Sequence, residues 1–324
     1  MTTRRSFLKA GLGLLSLSTA GALTARAGYA AAPFAKTQAP AFYRMALGDI
    51  EVTALSDGTL PVPLEKFFNN TTPDHVDAVL RSVFLESPVD LSVNAYLFNT
   101  GSRLILIDAG TGGLLGPRLG HLVANLRAAG YEPEQIDDVV LTHIHADHSG
   151  GLTHAGKPVF PNALVHVNKR DAEYWLDPAN LASAPEAKKT SFHEATTSLK
   201  PYVDAGRFRI FADNASPIPG FGSILRPGHT PGHSSIVIES KGERFVVWGD
   251  ISHGDAVQFD EPDIAIDFDV DSQIAANTRR HAFVHAADHG YWVAGAHLPF
   301  PGIGHVRADS DEFDWVPVNY SAAG

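Results

Sequence analysis

Three imidazoles and one carboxylate stand within six residues in the stretch Leu141-Thr-His-Ile-His-Ala-Asp-His-Ser-Gly-Gly-Leu152. Neutral imidazole nitrogen and carboxylate oxygen are the donors that a divalent ion of borderline softness prefers. His143 and His145 alternate, so an extended chain points both to one side, whereas the adjacent Asp147 and His148 can turn toward a second position. The spacing predicts half of a site for two neighbouring metals. Three later places put a ligand-type side chain at the end of an expected strand: His229 in Pro227-Gly-His-Thr-Pro-Gly-His233, Asp250 closing Phe245-Val-Val-Trp-Gly-Asp250, and His297 closing Tyr291-Trp-Val-Ala-Gly-Ala-His297. Each alone reads as a turn aspartate or a buried structural histidine; beside the first motif they read as the missing ligands. His233 lies too near His229 to count as a ligand and is expected to support the loop or a ligand, and His305 stands similarly. His154, His166, His193, His281, His285 and His289 read as surface or helix residues, and their number raises no further metal expectation.

Rigid elements must hold these groups. Val139-Val-Leu141 reads as a short buried strand and Ser149-Gly-Gly151 as a turn, placing the histidines on a strand-end loop. Ile50-Glu-Val-Thr-Ala-Leu55 alternates like a half-buried strand stopped by Asp57-Gly58. Val93–Phe98 and Arg103–Asp108 flank Asn99-Thr-Gly-Ser102 as a hairpin, and the nearly unbroken apolar second run expects cover on both faces. Asp108 at its end reads equally as a turn former or as a carboxylate orienting a metal-bound histidine.

Leu119, Leu122, Val123 and Leu126 make one helical face closed by Gly130. Further strands are expected at 163–167, 207–211, 223–226, 234–239, 244–248 and 291–296, with helices over 169–176 and from Asp271 toward a stop at Gly290. Residues 177–191, rich in Ala, Pro and Lys, look like a loose lid between Trp175 and Phe192. Phe67-Phe68 with the following Asn-Asn-Thr-Thr-Pro reads as an exposed loop carrying aromatics, which pack beneath the loop or form a pocket wall. Hairpins mixed with helical crossovers imply an α/β fold of two mixed β-sheets covered by helices.

The chain has 324 residues, 44% of them hydrophobic, enough for a large core in a domain over 46–324. Thr3-Arg-Arg-Ser-Phe-Leu-Lys9, the apolar run 10–24 and Ala25-Arg-Ala27 read as a twin-arginine signal over residues 1–27. That signal implies the twin-arginine export machinery as a partner and a periplasmic location. The apolar run is too short for a span of roughly 20 residues, so no membrane span is expected in the mature protein. Residues 28–45 look like a spacer.

Formal charge is −11; the first 27 residues carry Arg4, Arg5, Lys9 and Arg26 and no acid, leaving 21 basic against 36 acidic residues, or −15. Such a balance disfavours nucleic acid as a partner, because that binding rests on clustered Lys and Arg. There is no cysteine, which excludes disulfides, a thiol nucleophile, iron–sulfur clusters and thiolate ligation. No sequence feature fixes the oligomeric state, and a homodimer is compatible with it.

The series His143-Ile-His145-Ala-Asp147-His148, Gly228-His229, Gly249-Asp250 and His297 resembles the complete ligand set of the metallo-β-lactamase superfamily. The resemblance implies the αββα sandwich with a dinuclear site at one edge of its two sheets. His143, His145 and His229 then hold one metal, Asp147, His148 and His297 the other, and Asp250 bridges them. More narrowly, Gly48-Asp-Ile-Glu-Val-Thr-Ala-Leu-Ser-Asp-Gly58, Gly116-Pro-Arg-Leu-Gly120, Ala256-Val-Gln-Phe-Asp260 and His297-Leu-Pro-Phe-Pro-Gly-Ile-Gly-His305 resemble the methyl parathion hydrolase branch and its lactone- and arylester-hydrolysing relatives. This similarity runs from about Phe42 to Tyr320. It places Leu115, Trp175, Phe192, His253 and Phe268 at pocket positions, and His253 and Phe268 depart from the aliphatic residues of organophosphate specialists.

Two divalent metals, with zinc suiting all-His/Asp ligation and manganese, cobalt or iron compatible, can share a water and lower its pKa toward neutrality. The expectation is hydrolysis of an aryl ester or aromatic lactone by a bridging hydroxide, with Asp147 and Asp250 as candidates to orient it or take its proton. Weaker phosphotriester turnover belongs to the same reading. An acyl-homoserine lactonase and a dedicated organophosphate hydrolase are rival enzymes, a non-catalytic metal-binding protein is a rival of another class, and an iron-dependent oxidoreductase is a third.

Overall fold

Alternation along the strands decides the layers. In Leu104–Ile107, Ile105 and Ile107 join one buried cluster while Leu106 joins another; in Glu243–Gly249, Phe245 and Val247 face one way and Val246 and Trp248 the other. Strands apolar on both faces must be covered twice, and the computed structural model, which describes residues 32–310 and 312–322, shows that cover.

A seven-stranded sheet runs in the order Phe42–Leu47, Ile50–Val62, Val89–Asn99, Leu104–Ile107, Asp138–Val140, Leu164–Asn168, Phe208–Phe211. A six-stranded sheet runs Phe221–Leu225, Ser234–Ser240, Glu243–Gly249, Trp292–Gly295, Ile303–Asp309, Glu312–Pro317. Both are mixed: the first is antiparallel through Leu104–Ile107 and parallel beyond it, and the second contains one parallel pair, Glu243–Gly249 beside Trp292–Gly295. Tyr96, Phe98, Ile107, Phe221, Phe245 and Val247 fill the space between the sheets, with Phe98 edge-on to Phe221 and Phe245 at 5.6 Å. Helices Leu122–Ala128, Lys169–Trp175 and Glu186–Asp204 cover the outer face of the larger sheet, and Ser272–His289 that of the smaller. The architecture is the αββα sandwich.

Three local expectations need correction. The strand from Ile50 does not stop at Asp57-Gly58 but continues to Val62 through a bulge between Ser56 and Gly58. There the buried Asp57 carboxylate accepts the amides of Thr111, Gly120 and Leu122, so a turn-forming dipeptide serves as a bulge. The segment 177–191 is helical, not loose: Asp177 caps helix Pro178–Ser183 by accepting from the Ala179 amide, and Pro185 precedes helix Glu186–Asp204. Its prolines mark helix starts, where a missing amide proton costs nothing. Phe67 ends a short helix, and Phe68-Asn69 pairs with Ala265-Ile266 in a two-stranded sheet, so Phe68 is buried.

Residues Ala39–Gly324 form one compact unit. The expected spacer 28–45 ends too late, because Phe42–Leu47 is already a sheet strand; residues 32–38 have no helix or strand. The expected signal 1–27 lies outside the described residues. Among the described residues no helix is long and apolar enough to cross a membrane.

Candidate metal centre

Strand ends converge at one edge of the sandwich. The parallel strands Leu104–Ile107 and Asp138–Val140 run out into Asp108 and the His143 loop, and the parallel strands Glu243–Gly249 and Trp292–Gly295 run out into Asp250 and His297. His229 comes from the connection between the first two strands of the smaller sheet. His145 sits on extended backbone, while Asp147 and His148 fall in one helical turn, Ala146–Ser149, that swings them away. Gly249, at φ 62°, lets the chain turn into Asp250, and a Cβ there would lie 2.6 Å from His233 Nε2. Gly228 at φ 124° likewise packs the His229 loop against the first turn of helix Ser272–His289.

Two groups result. His143, His145, His229 and Asp250 form one; Asp147, His148, His297 and Asp250 form the other, with all donor atoms of a group within 4.8 Å of each other. His145 Nδ1 stands 3.1 Å from His143 Nε2 and 2.9 Å from His229 Nε2. One imidazole proton cannot serve both contacts, whereas three lone pairs meeting at a point suit an ion. In the second group His148 Nε2 is 3.1 Å from Asp250 Oδ1, and His297 Nε2 is 3.3 Å from Asp147 Oδ2. A tetrahedral ion with bonds of about 2.1 Å separates its ligand atoms by roughly 3.4 Å, close to these spacings. His148 Nε2 and Asp250 Oδ1 are buried and make no hydrogen bond despite their proximity, which leaves both lone pairs for a cation. The residues therefore fit two divalent ions sharing Asp250.

The far sides of the His143, His148, His229 and His297 rings are pinned, which sets their tautomers. His148 Nδ1 donates to Asp108 Oδ2 at 2.8 Å, His229 Nδ1 to Asp269 Oδ1 at 2.9 Å, and His297 Nδ1 to the Ser92 carbonyl at 2.8 Å. His143 Nδ1 is 3.1 Å from the Thr142 hydroxyl, which itself donates to Asp108. Asp108, at φ 61°, is thus both turn former and orienting carboxylate. His233 contacts no ligand ring through a hydrogen bond; its Nδ1 donates to the Arg226 carbonyl and its Nε2 accepts the Asp250 amide at 2.9 Å, so it holds the backbone that carries Asp250. Burial pushes His233 down to about 3, consistent with a neutral ring in that role.

Burial works to raise the Asp250 carboxyl, but the imidazoles of His148, His297 and His143 outweigh it and hold it well below the ordinary range. His148 and His297 do the same for Asp147. Burial lowers His143 and His145 far below the usual imidazole value, keeping them neutral, the form that ligates. Against the same burial, Asp250 and the neighbouring carboxylates raise His148, His229 (to about 9) and His297 (to about 10), so the buried carboxylates call for positive charge that protons or metal ions can supply.

A cavity of about 560 Å³ opens over the centre, and Leu115, Trp175, Phe192, His253 and Phe268 all line it. Trp175 meets His145 edge-on at 5.2 Å and packs on Phe192 at 4.8 Å. Phe268 meets Phe67 at 4.9 Å with the rings tilted by 37°, so Phe67 packs against a lining residue. His253 lies deeper: its ring stacks on His297 at 5.2 Å, its Nε2 is 3.3 Å from Asp250 Oδ2, and burial pushes it down to about 4.

Sequence reasoning missed two carboxylates. Asp269 follows the pocket residue Phe268 and has no local signature; it is recognised only through His229. Asp171 is fully buried in a short helix and accepts the amide of Ile144, between His143 and His145, at 3.0 Å, and that of Gly232 at 2.6 Å. It ties the two loops of the first group together, and burial raises it to about 6. Asp171→Asn keeps one acceptor but turns an amide donor toward one of these N–H groups. We expect metal affinity at that group to fall by roughly 10- to 100-fold, read by competition with a chromophoric chelator; unchanged affinity would remove Asp171 from the centre's support.

The family model described as the metallo-beta-lactamase superfamily matches residues 88–311. Among solved structures, the chain is similar to AbOPH, a hydrolase in the beta lactamase superfamily, at 38% identity and a TM-score of 0.84, covering 88% of this chain and 100% of that one. It is similar to AidC, a dizinc quorum-quenching lactonase solved with a product, at 28% identity and a TM-score of 0.81, covering 87% and 98%. An N-acyl homoserine lactonase of Bacillus sp is 28% identical over 172 residues, 47% of this chain, and the match spans only 60% of that lactonase's length. With the family matched over most of its length and the two-metal ligand geometry at its sheet edge, the chain belongs to the metallo-beta-lactamase superfamily.

Proposed function

We propose that the protein is a dinuclear metal-dependent lactonase, in which His143, His145 and His229 hold one ion, Asp147, His148 and His297 the other, and Asp250 both. The observation that carries this reading is the pair of His/Asp groups sharing Asp250 on the floor of a largely apolar cavity. Two divalent ions supply an acidified water as nucleophile and a Lewis acid for the carbonyl oxygen. The chain's own contribution is placement. Asp108, Asp269 and the Ser92 carbonyl fix the imidazoles, and Asp147 and Asp250, ionised at neutral pH, can accept a hydrogen bond from the attacking water. Trp175, Phe192 and Leu115 exclude bulk water and orient the apolar half of the substrate.

N-acyl homoserine lactones are the substrate class best supported, because two of the relatives are lactonases of that type by description. Aromatic lactones and aryl esters, the chemistry of the methyl parathion hydrolase-like branch, are a second reading, favoured by the aromatic walls of Trp175, Phe192 and Phe268. Phosphotriester turnover is a minor activity in it. Export by the twin-arginine route to the periplasm belongs to the proposal and rests on residues 3–27 alone.

Initial rates of the metal-replete enzyme on an N-acyl homoserine lactone, dihydrocoumarin, a phenyl ester and paraoxon test it, and the absence of any lactone opening would reject the lactonase. Phe268→Ala is expected to lower kcat/KM for the aromatic lactone by roughly tenfold and to affect the acyl-homoserine lactone less; equal losses would remove Phe268 from substrate choice.

A further inference from the structure

Two imidazoles lie face to face at the C-terminal end of helix Ser272–His289, outside the dinuclear centre. The rings of His285 and His289 stack with centroids 4.2 Å apart and planes inclined by 20°, as i, i+4 positions on one helical face permit. His289 Nδ1 donates to the His285 carbonyl at 2.9 Å, which places the lone pair of the neutral ring on Nε2. His285 Nδ1 meets the Tyr291 hydroxyl at 3.0 Å. Each ring thus has Nδ1 anchored to the protein and Nε2 without a hydrogen bond among the described residues, and with the Tyr291 hydroxyl accepting from His285 Nδ1 both Nε2 lone pairs are open to a metal.

Capping of the helix end explains the bond from His289 to the carbonyl. It does not explain a second imidazole stacked beside the first with its own anchor. Gly290 at φ 61° ends the helix, so His289 stays exposed and His285 half-buried. The negative end of the helix dipole favours a cation here. Partial burial, then His289 and the guanidinium groups of Arg226 and Arg244, lower His285 below the ordinary imidazole range against the opposing charge of Asp288, which keeps it neutral, so an ion held here is bound by the nitrogen lone pairs and not by net negative charge. The pair is remote from the centre: the other end of this 18-residue helix abuts the His229 loop, where the Asp271 amide donates to the Gly228 carbonyl, and about 1.5 Å per residue puts roughly 25 Å between them.

We propose that His285 and His289 form an auxiliary surface site for one divalent transition-metal ion of the zinc, nickel or copper class. Two imidazole nitrogens bind it, and its remaining positions face solvent, so the ion exchanges readily.

Untagged protein dialysed until elemental analysis finds two zinc ions per chain, so that the readily exchanging surface site is empty, is titrated calorimetrically with Ni2+ while released zinc is measured, and metal content is counted after equilibrium dialysis. The expected result is one Ni2+ per chain bound without release of zinc, weakened by about tenfold or more in both His289→Ala and His285→Gln, with hydrolytic rate unchanged. His289 is exposed and glutamine can still bond the Tyr291 hydroxyl, so neither variant threatens the fold, which circular dichroism checks. No Ni2+ bound beyond that displacing zinc, or binding retained in either variant, overturns the site.

Discussion

Asp250→Ala is expected to lower kcat/KM for the lactone by roughly a thousandfold or more and to leave the purified protein short of metal. Asp250 is the one side chain common to both groups, with its carboxylate oxygens 3.1 to 3.7 Å from the nitrogens of His143, His148, His229 and His297. Losing it takes a ligand from both positions and removes the negative charge that offsets two cations in a buried site. The backbone should not follow, because the amide of residue 250 remains bonded to His233. Kinetics and elemental analysis on the same preparation read both effects. Turnover within about tenfold of the parent would sink the hydrolytic reading, whereas a metal-binding protein without catalytic function would lose metal and have no turnover to lose.

Stripping both ions with a chelator is expected to abolish hydrolysis and to lower the thermal midpoint by several degrees. An ion present at a thousand times its dissociation constant stabilises the folded state by about 4 kcal/mol, and that linkage vanishes on removal. What remains is a set of buried carboxylates and imidazoles at 2.9 to 3.7 Å, several without a hydrogen bond. Zinc, manganese and cobalt added back in parallel identify which ion restores both rate and midpoint. A protein shown by elemental analysis to be metal-free, yet with unaltered rate and melting, would contradict the centre as described.

The two His/Asp groups that the structure brings together were legible in the sequence because metal chemistry admits few residue types and the His143–His148 spacing is local. Asp108 was legible only as a choice between two roles, and the structure joins them: the positive φ that makes it a turn residue also aims its carboxylate at His148 and Thr142. Asp171 and Asp269 were not legible, since each acts on a residue distant in the chain, across 27 positions to Ile144 and 40 to His229. The helices over 178–204 were hidden by prolines at their starts, and the bulge at Asp57 by a dipeptide that elsewhere ends strands. The layers were visible because strands covered on both faces must be apolar throughout; where each strand stops depended on partners that alternation does not encode.

Each metal group draws two of its four residues from the larger-sheet half, His143 and His145 or Asp147 and His148, and two from the smaller-sheet half. Neither half alone can complete a coordination shell. The ions are therefore sutures across the sandwich, and tight metal capture cannot precede the docking of its halves: a chain with one sheet formed offers at most a pair of ligands to each ion, and full occupancy is a record that assembly has finished.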